Sequence, residues 1–295
     1  MDITAKMVKD LRERTGAGMM ECKKALVECN GDIESAIEMM RKKGMAQADK
    51  KAGRIAADGR IDIALSADQT QAAMIEINCE TDFVANGEDF VQFSKAIADL
   101  ALAQQIDSVE ALNEIKLSSG ETVETTRREL IAKIGENVSV RRITLVNNSE
   151  GLIASYNHGI KIGVVVSLQG GNNSLGRDIA MHIAASKPAA IDESDVDADL
   201  IMKETEIFKE QSKQSGKPEE IIEKMVQGKV KKFLKEITLI NQPFVKNPDE
   251  SIASLLKSAD AGVTAFTRFE VGEGIEKKNE NFADEVASQV AAAKS

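Results

Sequence analysis

The residues that could do chemistry gather near position 80, where Cys79, Glu80, Asp82 and Phe83 share one short connection. A cysteine within reach of a histidine can act as nucleophile and base. The chain has two histidines, His158 and His182, and nothing in the sequence places either beside Cys79. Cys79 also continues the inward phase of the alternating run Ala73, Ile75, Ile77, which reads as core. Glu76, Glu80 and Asp82 could gather a cation, but Glu76 and Glu80 fall on one face of an extended strand, and a solvated face is the simpler reading. The pair Asp82 and Phe83 is different. It lies between a strand pattern and a helix pattern, on a connection that belongs at the surface. Either Phe83 folds back into the core and Asp82 begins a cap or turn, or the loop presents an acid beside a large apolar ring to something outside. A phosphate-binding G-x-x-x-x-G-K-[ST] loop is absent. The Gly-Lys pairs at Gly216 and Gly228 lack the upstream glycine, and Pro218 and Val230 stand where Ser or Thr is needed. Neither a catalytic residue, a metal ligand nor a cofactor is expected.

Other contact candidates are apolar or cationic. Met19 and Met20 are adjacent at a helix start, so both cannot face inward. One is expected to fill core and the other to offer the adaptable apolar surface that binding faces use. Arg12 follows Leu11 and points away from the Met7–Leu11 stripe. His158 falls in a hairpin turn and should be exposed, whereas His182 lies on the apolar face of a helix and reads as a satisfied core histidine. The net charge of −10 makes direct nucleic-acid binding unfavourable. The best basic patch, Asp49-Lys50-Lys51-Ala52-Gly53-Arg54, reads as a solvated linker. Three cysteines, with no Cys-x-x-Cys pair, argue against a disulfide framework or zinc site. No run approaches ~18 apolar residues, so no membrane contact is expected and a reducing, cytoplasmic setting is the default.

These residues need elements to hold them. Residues 1–45 read as three short helices, the first capped by Thr4 and stopped by Gly16, the third capped by Asp32 and closed by Gly44. The segment 48–57 reads as a linker. From Gly59 the period changes to two: Ile61, Ile63 and Leu65, then Ala73, Ile75 and Ile77, form a hairpin. A helix carrying Phe90, Phe93, Ile97 and Leu100 follows the Asp82–Phe83 loop, with two more helical segments before Gly135. Residues 138–146 form a strand whose phase changes at Arg141-Arg142, the sign of a bulge or edge strand. A second copy of this plan, hairpin then loop then helix, begins at Leu152. Residues 197–240 read as two charged helices around Gly216-Lys217-Pro218, an antiparallel hairpin projecting from the body. A last strand over 263–271 should complete the second sheet. Phe282, Val286 and Val290 mark a C-terminal docking helix. The fold class is therefore α+β, in five parts: a three-helix docking module (1–50), a first sheet-and-helix subdomain (56–146), a related second one (147–196 with 241–278), the inserted helical hairpin or coiled coil (197–240) and the C-terminal helix (279–295).

The three-helix module resembles the ubiquitin-associated architecture. Several longer segments resemble those of the bacterial elongation factor Ts family: Leu-Arg-Glu-Arg-Thr-Gly-Ala-Gly-Met-Met (11–20), Asn-Cys-Glu-Thr-Asp-Phe-Val-Ala (78–85) and His-Gly-Ile-Lys-Ile-Gly (158–163). Further on come Met-His-Ile-Ala-Ala-Ser-Lys-Pro (181–188), Gln-Pro-Phe-Val (242–245) and Arg-Phe-Glu-Val-Gly-Glu-Gly-Ile-Glu (268–276). Residues 104–126 carry no such motif. The resemblance implies a guanine-nucleotide exchange factor, not an enzyme, whose partner is the GTPase elongation factor Tu. It implies that Thr81, Asp82, Phe83 and Val84 enter the GTPase domain, with the phenylalanine as wedge and the acid disturbing the magnesium site. Arg12, Met19, Met20 and His158 match further contact positions. An adaptor or scaffold for ubiquitin-like domains, without exchange activity, is the alternative. The oligomeric state is not fixed by the sequence; a homodimer or a 2:2 complex is compatible with it.

Overall fold

The computed structural model describes residues 3–276. The expected C-terminal helix at 279–295 lies outside the described residues.

Three helices open the chain. In α1 (Ala5–Thr15) the Thr4 hydroxyl accepts the Met7 N–H, and Gly16 ends the helix in the left-handed region at φ 66°. α2 spans Met19–Glu28 and α3 spans Ile33–Lys51, where Asp32 caps the Ser35 N–H. Val8, Leu11, Cys22, Ala25, Leu26 and Ala36 make their small core. The third helix does not close at Gly44, as the sequence suggests, but continues seven residues further, so much of the expected linker is helix. Gly44 serves close approach instead. A Cβ there would lie 2.8 Å from the Cβ of Ala132, on a later helix against which α3 packs. Arg41 bonds Glu121 and Glu129, Asp49 pairs with Arg128, and the Lys51 ammonium donates to the Gly135 carbonyl. The patch read as a solvated linker is thus partly bound to the body.

Strands β1 (Asp58–Leu65) and β2 (Gln71–Cys79) form the first hairpin. Helices α4 (Asp82–Ala85), α5 (Glu88–Gln104), α6 (Val109–Glu114) and α7 (Val123–Ile134) follow. β3 (Ser139–Asn147) then returns beside β2, giving the antiparallel order β1-β2-β3. Pairing shifts between Glu76 and Ile77, which face Arg142 and Val140, so Arg141 is the extra residue of a bulge. The second unit begins with β4 (Leu152–His158), β5 (Ile162–Gly170) and α8 (Asn173–Ser186). α9 (Ala198–Lys213) and α10 (Glu219–Ile237) pack on each other, with Phe208 and Phe233 edge to face at 6.1 Å. Met202, Ile207 and Ile221 stay exposed along this pair. β6 (Pro243–Phe244), β7 (Asn247–Ser251), α11 (Ile252–Ser258) and β8 (Ala261–Glu270) complete the described chain, and the second sheet has the order β4-β5-β8. The architecture is mixed helix and antiparallel sheet, an α+β fold.

The two sheets meet face to face. Ala73, Ile75, Ile77 and Cys79 of β2 pack under the helices with Phe90, Phe93 and Ile97. Ala72 and Met74, on the opposite face, pack with Ile61 against Ile153, Val165 and Phe269. Gly163 permits this approach: a Cβ there would meet Ile61 Cγ2 at 2.4 Å. The contact overturns the reading of Glu76 as solvated. Its side chain is 0% exposed, because the second sheet covers the face that alternation alone would give to water. Glu76 Oε1 accepts from Arg141 Nη1 (2.9 Å), the Gly272 N–H (2.8 Å) and Asn78 Nδ2 (3.1 Å), and Oε2 accepts from Arg142 Nε (2.5 Å). Burial alone would raise this carboxyl's pKa. The Gly272 N–H and the two arginines outweigh it and hold the group below the ordinary carboxylate value.

Helix propensity alone makes Gly44→Ala stabilising by about 1 kcal/mol. Overpacking against Ala132 costs roughly 1–3 kcal/mol. The expected outcome of thermal denaturation is a lower melting temperature for Gly44→Ala, and a strongly non-additive recovery when Ala132→Gly is added. A higher melting temperature for the single variant would mean the helices can separate at no cost.

Candidate functional site

The loop after β2 is held from behind. The Glu136 carboxylate, just past α7, accepts the N–H groups of Glu80 (3.1 Å) and Thr81 (3.0 Å) through Oε2 and the Thr81 hydroxyl (2.7 Å) through Oε1. Glu80 in turn accepts the Asn137 N–H at 2.7 Å. Thr81 caps the single turn α4, its oxygen accepting the Val84 N–H. Asn86 closes the turn by donating both its backbone and its side-chain N–H to the Asp82 carbonyl. Ala85 is fully buried and Val84 packs partly against the first core. Between these fixed points Phe83 is 86% exposed, and Asp82 beside it is exposed as well. Phe83 therefore does not fold into the core, and the cap belongs to Thr81, not Asp82. An isolated exposed apolar side chain is ordinary. Here, however, a full ring stands on a backbone in which every neighbour is bonded or buried.

The other candidates fall around this loop in different ways. His158 ends β4, exposed, with its Nδ1 3.2 Å from the Tyr156 hydroxyl. Its hairpin lies along β1: Asn157 Nδ2 donates to the Ile61 carbonyl, Ile61 N–H donates to the Ile160 carbonyl, and Lys161 pairs with Asp58. Asp58 sits opposite Cys79, two residues before Thr81. The His158 turn and the Phe83 loop thus share one end of the first hairpin. The turn between α1 and α2 approaches from another side: Gly16 lies against Lys133, whose ammonium bonds Asp89 at 2.7 Å in the first turn of α5. Met19 and Met20 begin just beyond that turn, 50% and 66% exposed. The expectation that one of them fills core is wrong. The first turn of α2 runs past the small three-helix core, whose α2 positions are taken by Cys22, Ala25 and Leu26. Arg12 is exposed on α1.

Acid–thiol chemistry finds no support. Cys79 is buried and donates its S–H to the Thr81 carbonyl at 3.1 Å. Burial, followed by the nearby Glu136 and Asp58 carboxylates, pushes its thiol up to about 12, so the nucleophilic thiolate is not formed at neutral pH. His182 is fully buried, with Nε2–H donating to Gln242 Oε1 (2.9 Å) and Nδ1 accepting the Val245 N–H (3.2 Å). Burial draws its pKa below the ordinary histidine value. Both imidazoles are engaged elsewhere in the second unit. Glu76 and Glu80 are taken by their own partners, and among the described residues no cluster of His, Cys, Asp and Glu could hold a metal ion. Glu136 is the residue of this candidate site that sequence reasoning missed. Its partners lie 55 and 56 positions earlier, and no local pattern marks such a pairing.

The site is a clamped loop bearing an exposed ring, with further exposed apolar and polar groups on adjoining elements. Comparisons with known proteins give the class. Residues 80–273 match the family described as Elongation factor TS. Over 99% of its length the chain is 59% identical to the whole of the elongation factor Ts of Methylococcus capsulatus. It is 56% identical over its full length to that of Hydrogenovibrio crunogenus, again covering the whole relative. With the protein of the same name from Thioalkalivibrio sulfidiphilus it shares 58% identity over 98% of this chain and 99% of the relative. The chain belongs to the elongation factor Ts family. Among the described residues no helix is long and apolar enough to cross a membrane.

Alkylation of the native protein at pH 8, followed by peptide mapping, should leave Cys79 unmodified while the half-buried Cys29 reacts. Labelling of Cys79 at the rate of a free thiol in the folded chain would contradict both its burial and its raised pKa.

Proposed function

We propose that this chain is the guanine-nucleotide exchange factor of elongation factor Tu and acts through the Thr81–Val84 loop. The observation that carries the reading is Phe83, held out in water by a backbone fixed at Glu136, Thr81 and Ala85, in a chain of this family. Phe83 enters the GTPase domain as a wedge and is buried there. Asp82 travels with it and brings a carboxylate to the partner's magnesium site. Magnesium bridges nucleotide phosphates to protein, so disturbing it removes a large local charge and lowers nucleotide affinity. Coupling between two ligands is reciprocal: a factor that weakens nucleotide binding is itself weakened by nucleotide in the same ratio. Incoming GTP therefore releases the factor with no covalent step on this chain.

In this reading residues 1–50 dock on the same domain through Arg12, Met19 and Met20, and His158 contacts it from the second unit. Residues 56–146, and 147–196 with 241–278, form the body. The hairpin at 197–240 projects, and the segment 279–295 is a further docking element. The exposure of both methionines supports the first of these roles, since neither is needed by the three-helix core.

Stopped-flow release of a fluorescent GDP analogue from elongation factor Tu tests the reading. The wild-type chain should accelerate release. Interface anchors cut to Ala commonly lose more than ~2 kcal/mol, and each ~1.4 kcal/mol is tenfold. Phe83→Ala should therefore slow catalysed release about 10- to 100-fold with its melting temperature nearly unchanged. Asp82→Ala should slow release more with magnesium present than with magnesium chelated. A wild-type chain that binds the GTPase without accelerating release would leave the adaptor reading standing.

A further inference from the structure

We propose that Glu76 is a positioning residue for exchange: its buried carboxylate fixes the two sheets in the one relative placement that lets the Phe83 loop and the His158 turn meet the same partner surface. The inference rests on the proposed exchange function for its consequence, but not for its geometry.

Glu76 lies on β2, six residues before Asp82, where the exposed pair begins. Its donors come from three segments: Asn78 on its own strand, Arg141 and Arg142 on β3, and the Gly272 N–H in the turn that leaves β8 of the second sheet. Both arginines then reach across as well. Arg141 donates to the Glu273 carbonyl, and Arg142 Nη2 donates to the Glu270 carbonyl at 3.0 Å. Arg142 also stacks 4.1 Å above the Phe269 ring. Lys187, at the end of α8, closes the set by pairing with Glu273 at 2.7 Å. The bulge at Arg141 makes this possible, because it turns two consecutive arginines toward one carboxylate.

The surroundings say what the group is for. The rest of the sheet-to-sheet contact is an apolar surface of Ile61, Ala72, Met74, Ile153, Val165 and Phe269, whose attraction is non-directional, with hydrogen bonds along β1 and its turn: Asn157 and Ile160 to Ile61, Lys161 to Asp58, and Ile153 to Gln69. The apolar surface leaves the angle free, and the hydrogen bonds along β1 tie one side of the first sheet; the Glu76 set ties the β2–β3 side to the 270–273 segment, and two ties on different sides set an angle that one leaves open. A buried ion pair contributes little net stability against an apolar replacement, and its best use is in specifying one arrangement. The wedge hangs from the first sheet and His158 from the second, so that angle sets how the two face a common surface.

The test uses the full chain with Glu76→Gln, which keeps shape and one acceptor but removes the charge. A misplaced reacting group loses about 10²-fold for ~1 Å. The maximal GDP-release rate at saturating chain should thus fall about 10- to 100-fold, while the half-saturating concentration shifts less than about threefold. Partial unfolding alone would lower the effective concentration, and saturation would restore the maximum. A second readout needs no partner. Spin labels at Lys95→Cys on α5 and Ala253→Cys on α11, both exposed, in a Cys29→Ser background, should give a narrow distance distribution that broadens with Glu76→Gln. If Glu76→Gln does not fold, Arg142→Lys, which keeps the charge and loses the fork, takes its place in both measurements. An unchanged maximal rate, a loss recovered by saturation, or an unbroadened distribution would each overturn the proposal. Failure of the wild-type chain to accelerate release would count against the exchange function alone, because the distance measurement stands by itself.

Discussion

The structure depends on a strand that water reaches from neither side. β2 buries every position from Ala72 to Cys79, one face under helices and the other under a second sheet. Antiparallel strands commonly keep one wet face, and the polar residues at Glu76 and Asn78 fit that pattern until the second sheet arrives. Once it does, each needs partners from protein. The bulge in β3 and the turn after β8 supply them to Glu76, while Asn78 donates to the Asp58 carbonyl and to Glu76 itself. Sheet order, the placement of Arg141 and Arg142, and the course of the chain past Glu270 are therefore linked to one buried carboxylate.

The same strand leads into the candidate loop. A strand fixed on both faces, followed within two residues by a carboxylate clamp, gives a loop with almost no freedom. That matters for the role proposed for Phe83, entry into another protein. Ordering a flexible loop on binding consumes part of the interaction free energy, and a preorganised loop avoids the loss. The Glu136 clamp does this with three hydrogen bonds directed at Glu80 and Thr81, leaving the Phe83 and Asp82 side chains exposed.

Local signals were legible in the sequence, and contacts between distant segments were not. Thr4, Gly16 and Asp32 act as the caps and stop their types suggest, because capping is settled within one helical turn. The phase change at Arg141-Arg142 correctly marks both a bulge and an edge strand. His182 is the satisfied core residue its position on an apolar helix face indicates. The errors share one cause. Gly44 reads as a stop, but its missing side chain answers to Ala132 far along the chain. Glu76 reads as solvated because the cover comes from residues 153–272. Two adjacent methionines read as one in and one out because the size of the three-helix core is not visible in a list of apolar residues. The exposed loop itself was legible only as a pair of alternatives, and the clamp that decides between them was silent.

The uninterrupted third helix has a consequence for avidity. A module joined by a flexible linker meets its second site at an effective concentration set by linker length, and is diluted as the linker grows. Here α3 runs from the three-helix core to Lys51 and lies along α7, pinned at Arg41, Asp49 and Lys51. The methionine surface and the phenylalanine loop are thus held at a fixed span. A partner whose two complementary patches match that span engages the second almost as soon as the first, and one whose patches do not match gains nothing from the pair. Under the proposed docking, rigid spacing makes the molecule a gauge, selecting by distance between sites as well as by the chemistry of each.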